Sequence, residues 1–216
     1  MVAAGRGLSP RAGAGHWIIL ALSVAMGLAA YRYLIPNGPG LAPPILANRF
    51  TALGVLTLHA GFAGTALILG PFQFFAGLRR TRPGLHRALG KVYVTCCLAA
   101  GAAGLVLAFG ARTGPISTAG FGLLAVAWIF TTARAWRRAT QRRFAEHERW
   151  MIRSFALTLA AVTLRLYLPF AFLSPFGYDD TYRAISFLCW VPNLVAAELW
   201  LARSSPARAA ASHRSG

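Results

Sequence analysis

The chain has 216 residues, 56% of them hydrophobic, and a mean hydropathy of +0.53, a balance that excludes an ordinary soluble domain. Its 22 Lys and Arg against five Asp and Glu give a formal net charge of +17. Such an excess would suit nucleic acid, but the charges crowd the ends of apolar runs, so the expected partner is a bilayer with anionic headgroups and not nucleic acid.

Six apolar stretches are each long enough to cross a bilayer, which takes about 20 helical residues. Backbone groups in hydrocarbon must be satisfied within the segment, so each stretch is predicted to be a helix. The fold class expected is therefore all-α, an integral membrane six-helix bundle, with one six-span domain over residues 17–203. Residues 1–16 form a short leading segment. The first span, 17–34, opens at Trp17 and closes at Tyr31 and Tyr33, an aromatic belt at each interface. Arg6 and Arg11 also make a basic n-region, yet Leu28, three before a cut after Ala30, is a poor cleavage residue, so a retained anchor is expected. Residues 36–44, rich in Pro and Gly, read as an extended outer loop.

The remaining spans are 50–75, 89–109, 116–136, 150–173 and 184–201, followed by a tail over 204–216 whose Ser, Ala, Pro and Arg content predicts disorder. Gly101, Gly104, Gly120 and Gly122 read as packing positions, since small residues let membrane helices approach closely. Cys96, Cys97 and Cys189 all lie in apolar runs and read as small buried residues, not a disulfide framework.

Basic residues orient the bundle. Arg6 and Arg11 precede the first span, Arg79, Arg80, Arg82, Arg87 and Lys91 lie between the second and third or at their facing ends, and seven arginines from Arg134 to Arg153 lie likewise between the fourth and fifth or at their facing ends. Arg203, Arg208 and Arg214 follow the last span. The positive-inside rule then puts both termini and both basic loops in the cytoplasm, with a bacterial inner membrane as the expected location.

Polar residues inside the spans mark candidate sites, because they are expensive in hydrocarbon. On the fifth span His147, Ser154, Thr158 and Arg165 fall within about 20° of one azimuth and make a stripe about 27 Å long. An arginine well inside a span must face other helices, water or a ligand, or carry its head outward on its long stem. On the second span His59 lies at the depth of Arg165 and shares a face with Ala63, Ala66, Gly70 and Gln73. His59, Gln73, Ser154, Thr158 and Arg165 are thus candidates for an outer substrate site or a polar pathway.

At the cytoplasmic side His86 begins the third span and His147 the fifth, ringed by Arg87, Arg149 and Arg153, with Glu198 as a natural counter-ion for one of these. Two histidines at one depth on different helices are suited to ligate haem b, with Arg87 and Arg153 balancing its propionates. No Cys-x-x-Cys-His string is present, which disfavours covalent haem.

The strings Leu58-His59-Ala60-Gly61, Gly70-Pro71-Phe72-Gln73-Phe74 and Arg82-Pro83-Gly84-Leu85-His86-Arg87 resemble a family of predicted bacterial membrane proteins, domain of unknown function twenty-three-oh-six. So does the block from Glu146-His147-Glu148-Arg149-Trp150 through Arg153-Ser154 to Thr163-Leu164-Arg165. The resemblance implies His59, Gln73, His86, Arg87, His147, Trp150, Arg153 and Arg165 as signature polar positions, and no established reaction. A weaker likeness to membrane cytochrome b bundles rests on helix number and histidine placement. Three functions stay open on this reading: a haem-b redox protein, a small-anion or proton-coupled transporter, and a scaffold whose polar residues only specify helix pairing.

Overall fold

The computed structural model describes residues 13–35, 49–111 and 113–213. The outer loop expected over 36–44 lies outside the described residues, as does most of the leading segment. Among the described residues the chain is helical and has no strand, as the fold class required. Helices α1 (Ala14–Ala30), α2 (Arg49–Leu69), α3 (Ala76–Thr81), α4 (Pro83–Phe109) and α5 (Pro115–Thr140) are followed by α6 (Phe144–Thr158), α7 (Ala160–Leu173), α8 (Tyr178–Leu188) and α9 (Val191–His213). Short 3-10 turns at Tyr31–Leu34 and Pro71–Phe74 extend α1 and α2.

Among the described residues six segments are long and apolar enough to cross a membrane: Ala14–Leu34, Gly54–Phe74, Pro83–Phe109, Pro115–Thr140, Phe144–Leu173 and Tyr178–Ser204. Each contains the stretch predicted for it or nearly so, but several run further. The third and fifth start six residues before the expected 89 and 150, because a helix starts where its backbone bonds start and not where its side chains become apolar. Pro83 opens α4 in its first turn, where the missing N–H costs nothing. The segment after Arg203, expected to be disordered, continues α9 to His213; alanines at 207 and 209–211 favour helix.

The last two spans are each built from two helices, and the interruptions have local causes. Thr158 Oγ1 donates to Ser154 O at 2.9 Å, a back-bond of the kind that bends helices. Beyond it Leu159 O takes both Val162 N at 2.9 Å and Thr163 N at 3.1 Å, a tightened turn. In the sixth span Pro192 has no N–H to give to Leu188, and the Asn193 amide donates to Cys189 O at 3.2 Å. The two interruptions meet, since Asn193 Nδ2 also donates to Thr163 Oγ1 at 2.9 Å.

Packing follows the chain: α2 lies against α4, α4 against α5, α5 against α6, with α8 and α9 closing on α5, α6 and α7. α1 packs on α2, where Gly27 and Gly64 let the backbones touch. A Cβ on Gly64 would lie 2.9 Å from Gly27 O. A Cβ on Gly120 would lie 2.8 Å from Ser186 Cβ, which sets α8 directly against α5. Gly104 seats the His59 ring, while Gly122 meets nothing within 4 Å and has no such packing role. The core centres on Tyr93, Cys97, Trp128, Met151, Phe155 and Leu157, and all three cysteines are buried and free.

Candidate functional site

The centre of the bundle is polar and closed. Trp128 Nε1 donates to Thr158 Oγ1 at 3.0 Å, and the Thr158 proton goes to Ser154 O. The Tyr93 hydroxyl lies 2.9 Å from Thr158 Oγ1 and 3.1 Å from Ser154 Oγ, and Thr132 Oγ1 lies 2.7 Å from Ser154 Oγ. With one proton per hydroxyl and that of Thr158 already used, the direction is determined. Thr132 donates to Ser154, Ser154 to Tyr93, and Tyr93 to Thr158. Every hydroxyl proton is spent inside the protein, and Tyr93, Thr132, Ser154 and Thr158 are all buried. Ser154 and Thr158, expected to line an outer site or pathway, instead tie α4, α5 and α6 together.

This network aligns the end that bears the basic loops. His86 is seven residues before Tyr93 on α4, and His147 seven before Ser154 on α6. Seven residues are close to two helical turns, so both histidines project onto the Tyr93 and Ser154 seam about 10 Å nearer the basic loops. They lie within electrostatic reach of one another, with Arg79 and Arg87 also close to His86. Gln73 reaches the seam from the 3-10 turn. It is buried, and its Oε1 lies 3.2 Å from where a Cβ on Gly90 would stand. Sequence spacing grouped Gln73 with His59 on one helical face, but the turn at Pro71 changes the azimuth and carries it to the helix of His86, beside Gly90.

Two details give this seam binding capacity. His147 Nδ1 is 2.9 Å from Ala135 O; a carbonyl only accepts, so Nδ1 carries the proton and the neutral ring presents a lone pair at Nε2. His86 Nδ1 and Gln73 Nε2 are buried and have no hydrogen-bond partner among the described residues.

Arg153 does not join the seam. Its Nε and Nη2 hold Glu198 at 2.5 and 2.8 Å, and its guanidinium stands 4.7 Å over Trp150. The expectation that Glu198 serves as a counter-ion is met at Arg153, and for that reason Arg153 is not free to balance a ligand. Arg134 approaches Trp150 as well, at 5.4 Å, so the tryptophan is a cation platform that the sequence did not reveal as such.

His59 and Arg165 are within electrostatic reach but share no hydrogen bond. His59 Nδ1 lies 2.8 Å from Ala100 O, and Arg165 Nη1 donates to Ala161 O at 2.8 Å. Arg165 instead lines a groove of about 610 Å³ with Arg32, on the side opposite the basic loops. A second groove of about 260 Å³ runs past His16, Phe74, Arg79, Glu148 and Asn193. Neither includes His86 or His147. Sequence periodicity missed Tyr93, Thr132 and Trp128 as network members; the spacing of Trp128 and Thr132, four apart on one helical face, was the available signal.

No curated protein and no solved structure matches the chain, so the likeness to cytochrome b bundles has no structural support. The family model described as "Predicted membrane protein (DUF2306)" matches residues 56–201. The match spans the central network, His86 and His147, His59 and Arg165, and the chain is a member of this predicted membrane protein family.

Proposed function

We propose that this multi-pass protein of a bacterial inner membrane binds haem b between His86 and His147 and serves electron transfer at the cytoplasmic side. The observation that carries the reading is the shared seam: the Tyr93 and Ser154 contact at 3.1 Å brings together the faces of α4 and α6 on which both histidines lie. Ala135 O supports it by holding His147 with Nε2 free, the way ligating histidines are commonly oriented. Among the described residues no three His, Cys, Asp or Glu cluster as a metal site. Two imidazoles alone suit haem iron, whose macrocycle supplies its other nitrogens, better than a bare ion that needs three or more protein ligands.

Haem, when bound, supplies reversible one-electron chemistry. The chain would bind and orient it, with His86 and His147 holding its iron, Arg87 balancing propionate charge, and the unpartnered Gln73 amide offering a donor. Protein expressed in haem-replete cells is expected to hold about one haem per chain. His86→Ala and His147→Ala should each lose it, and Glu198→Ala should keep it. Full haem retention in both folded histidine variants would refute the assignment.

A further inference from the structure

We infer that the groove between α1 and α7 is a binding site for an anionic phospholipid, with the phosphate between Arg32 and Arg165 and one acyl chain along the apolar wall. The first argument is a charge count. The chain has five carboxylates. Glu146 pairs with Arg138 and Arg143, Glu148 with Arg79, Glu198 with Arg153, and Asp180 with Arg183. Asp179 makes no ion pair among the described residues. Among the described residues no carboxylate pairs with Arg32 or Arg165, and the two guanidiniums are within electrostatic reach of each other. An anion from outside the chain would relieve their repulsion.

The second argument is unspent donor capacity. A guanidinium has five N–H groups. Arg165 gives one to Ala161 O, and Arg32 gives one to the Tyr33 hydroxyl at 2.9 Å. Their forked geometry matches phosphate oxygens. The third argument is shape and depth. Met26, Leu168, Pro169 and Phe172 line the rest of the groove, a surface for a hydrocarbon chain and not for a soluble ion. Arg32 belongs to the turn bearing Tyr31 and Tyr33, an aromatic belt that marks headgroup level.

The test uses the full-length protein in nanodiscs and a phosphatidylglycerol probe with a photoreactive diazirine on its acyl chain, followed by mass mapping of labelled peptides. Labelling is expected around Met26 and residues 168–173. It should be competed by unlabelled phosphatidylglycerol and not by phosphatidylcholine or inorganic phosphate. Combined Arg32→Gln and Arg165→Gln should lower labelling of these peptides roughly tenfold, while Arg165→Lys keeps much of it and Arg203→Gln leaves it unchanged. Equal labelling by a phosphatidylcholine probe, or competition by inorganic phosphate alone, would overturn the proposal using wild-type protein only. So would undiminished labelling in a double variant that melts at the wild-type temperature.

Discussion

Thr158 is the residue on which the centre of the bundle depends, since its one oxygen accepts from both Trp128 and Tyr93. Thr158→Val keeps the shape but strands both donors in a buried site, and it is expected to cost about 1–3 kcal/mol. Tyr93→Phe strands a single donor, the Ser154 hydroxyl, leaves Thr158 bonded to Trp128 and to Ser154 O, and should cost less, about 1 kcal/mol. Thermal unfolding in detergent checks the order, and a larger loss in Tyr93→Phe would contradict the proton directions assigned. Ser154 and Thr158 were legible as polar residues on one helical face. Their partners were not, because spacing along one helix says nothing of its register against another. Arg153 illustrates the same limit: Glu198 was visible as a counter-ion, but which arginine it meets depends on how α9 packs on α6.

At the scale of elements, six apolar runs were readable because hydrocarbon demands them, and the segments found contain five of those runs and nearly all of the second. Their starts were less readable, since the polar first turns of α4 and α6 lie outside any hydropathy signal. The division of the last two spans into paired helices was also hidden. It arises from the Thr158 back-bond and from Pro192 with Asn193, local chemistry that a window average erases. Close approach at glycine was expected in general, and the structure identifies the partners. Gly120→Leu must displace Ser186, whose backbone carbon lies 3.0 Å from the added Cβ. A loss of about 1–3 kcal/mol is expected from such overpacking, measured as a lower unfolding midpoint, whereas Gly122→Leu, with open space around it, should unfold near wild type.

For the whole molecule, membership in the family and six spans establish a multi-pass membrane protein, and the distribution of charge predicts its orientation. Reporter fusions after Arg82 and Gln141 should register as cytoplasmic, and fusions after Gly114 and Gly177 as external; the reverse pattern would overturn the positive-inside assignment. The histidines of the proposed site were legible as a pair at one depth, while the seam that joins them, held by Tyr93 and Ser154, required the fold. The central claim is that this seam holds haem. An absorption spectrum of the detergent-purified wild-type protein, oxidised and then reduced with dithionite, tests it most directly. A Soret band with sharp α and β bands on reduction, at about one haem per chain, is the result predicted. A folded protein from haem-replete cells with no absorption in the visible range would contradict it.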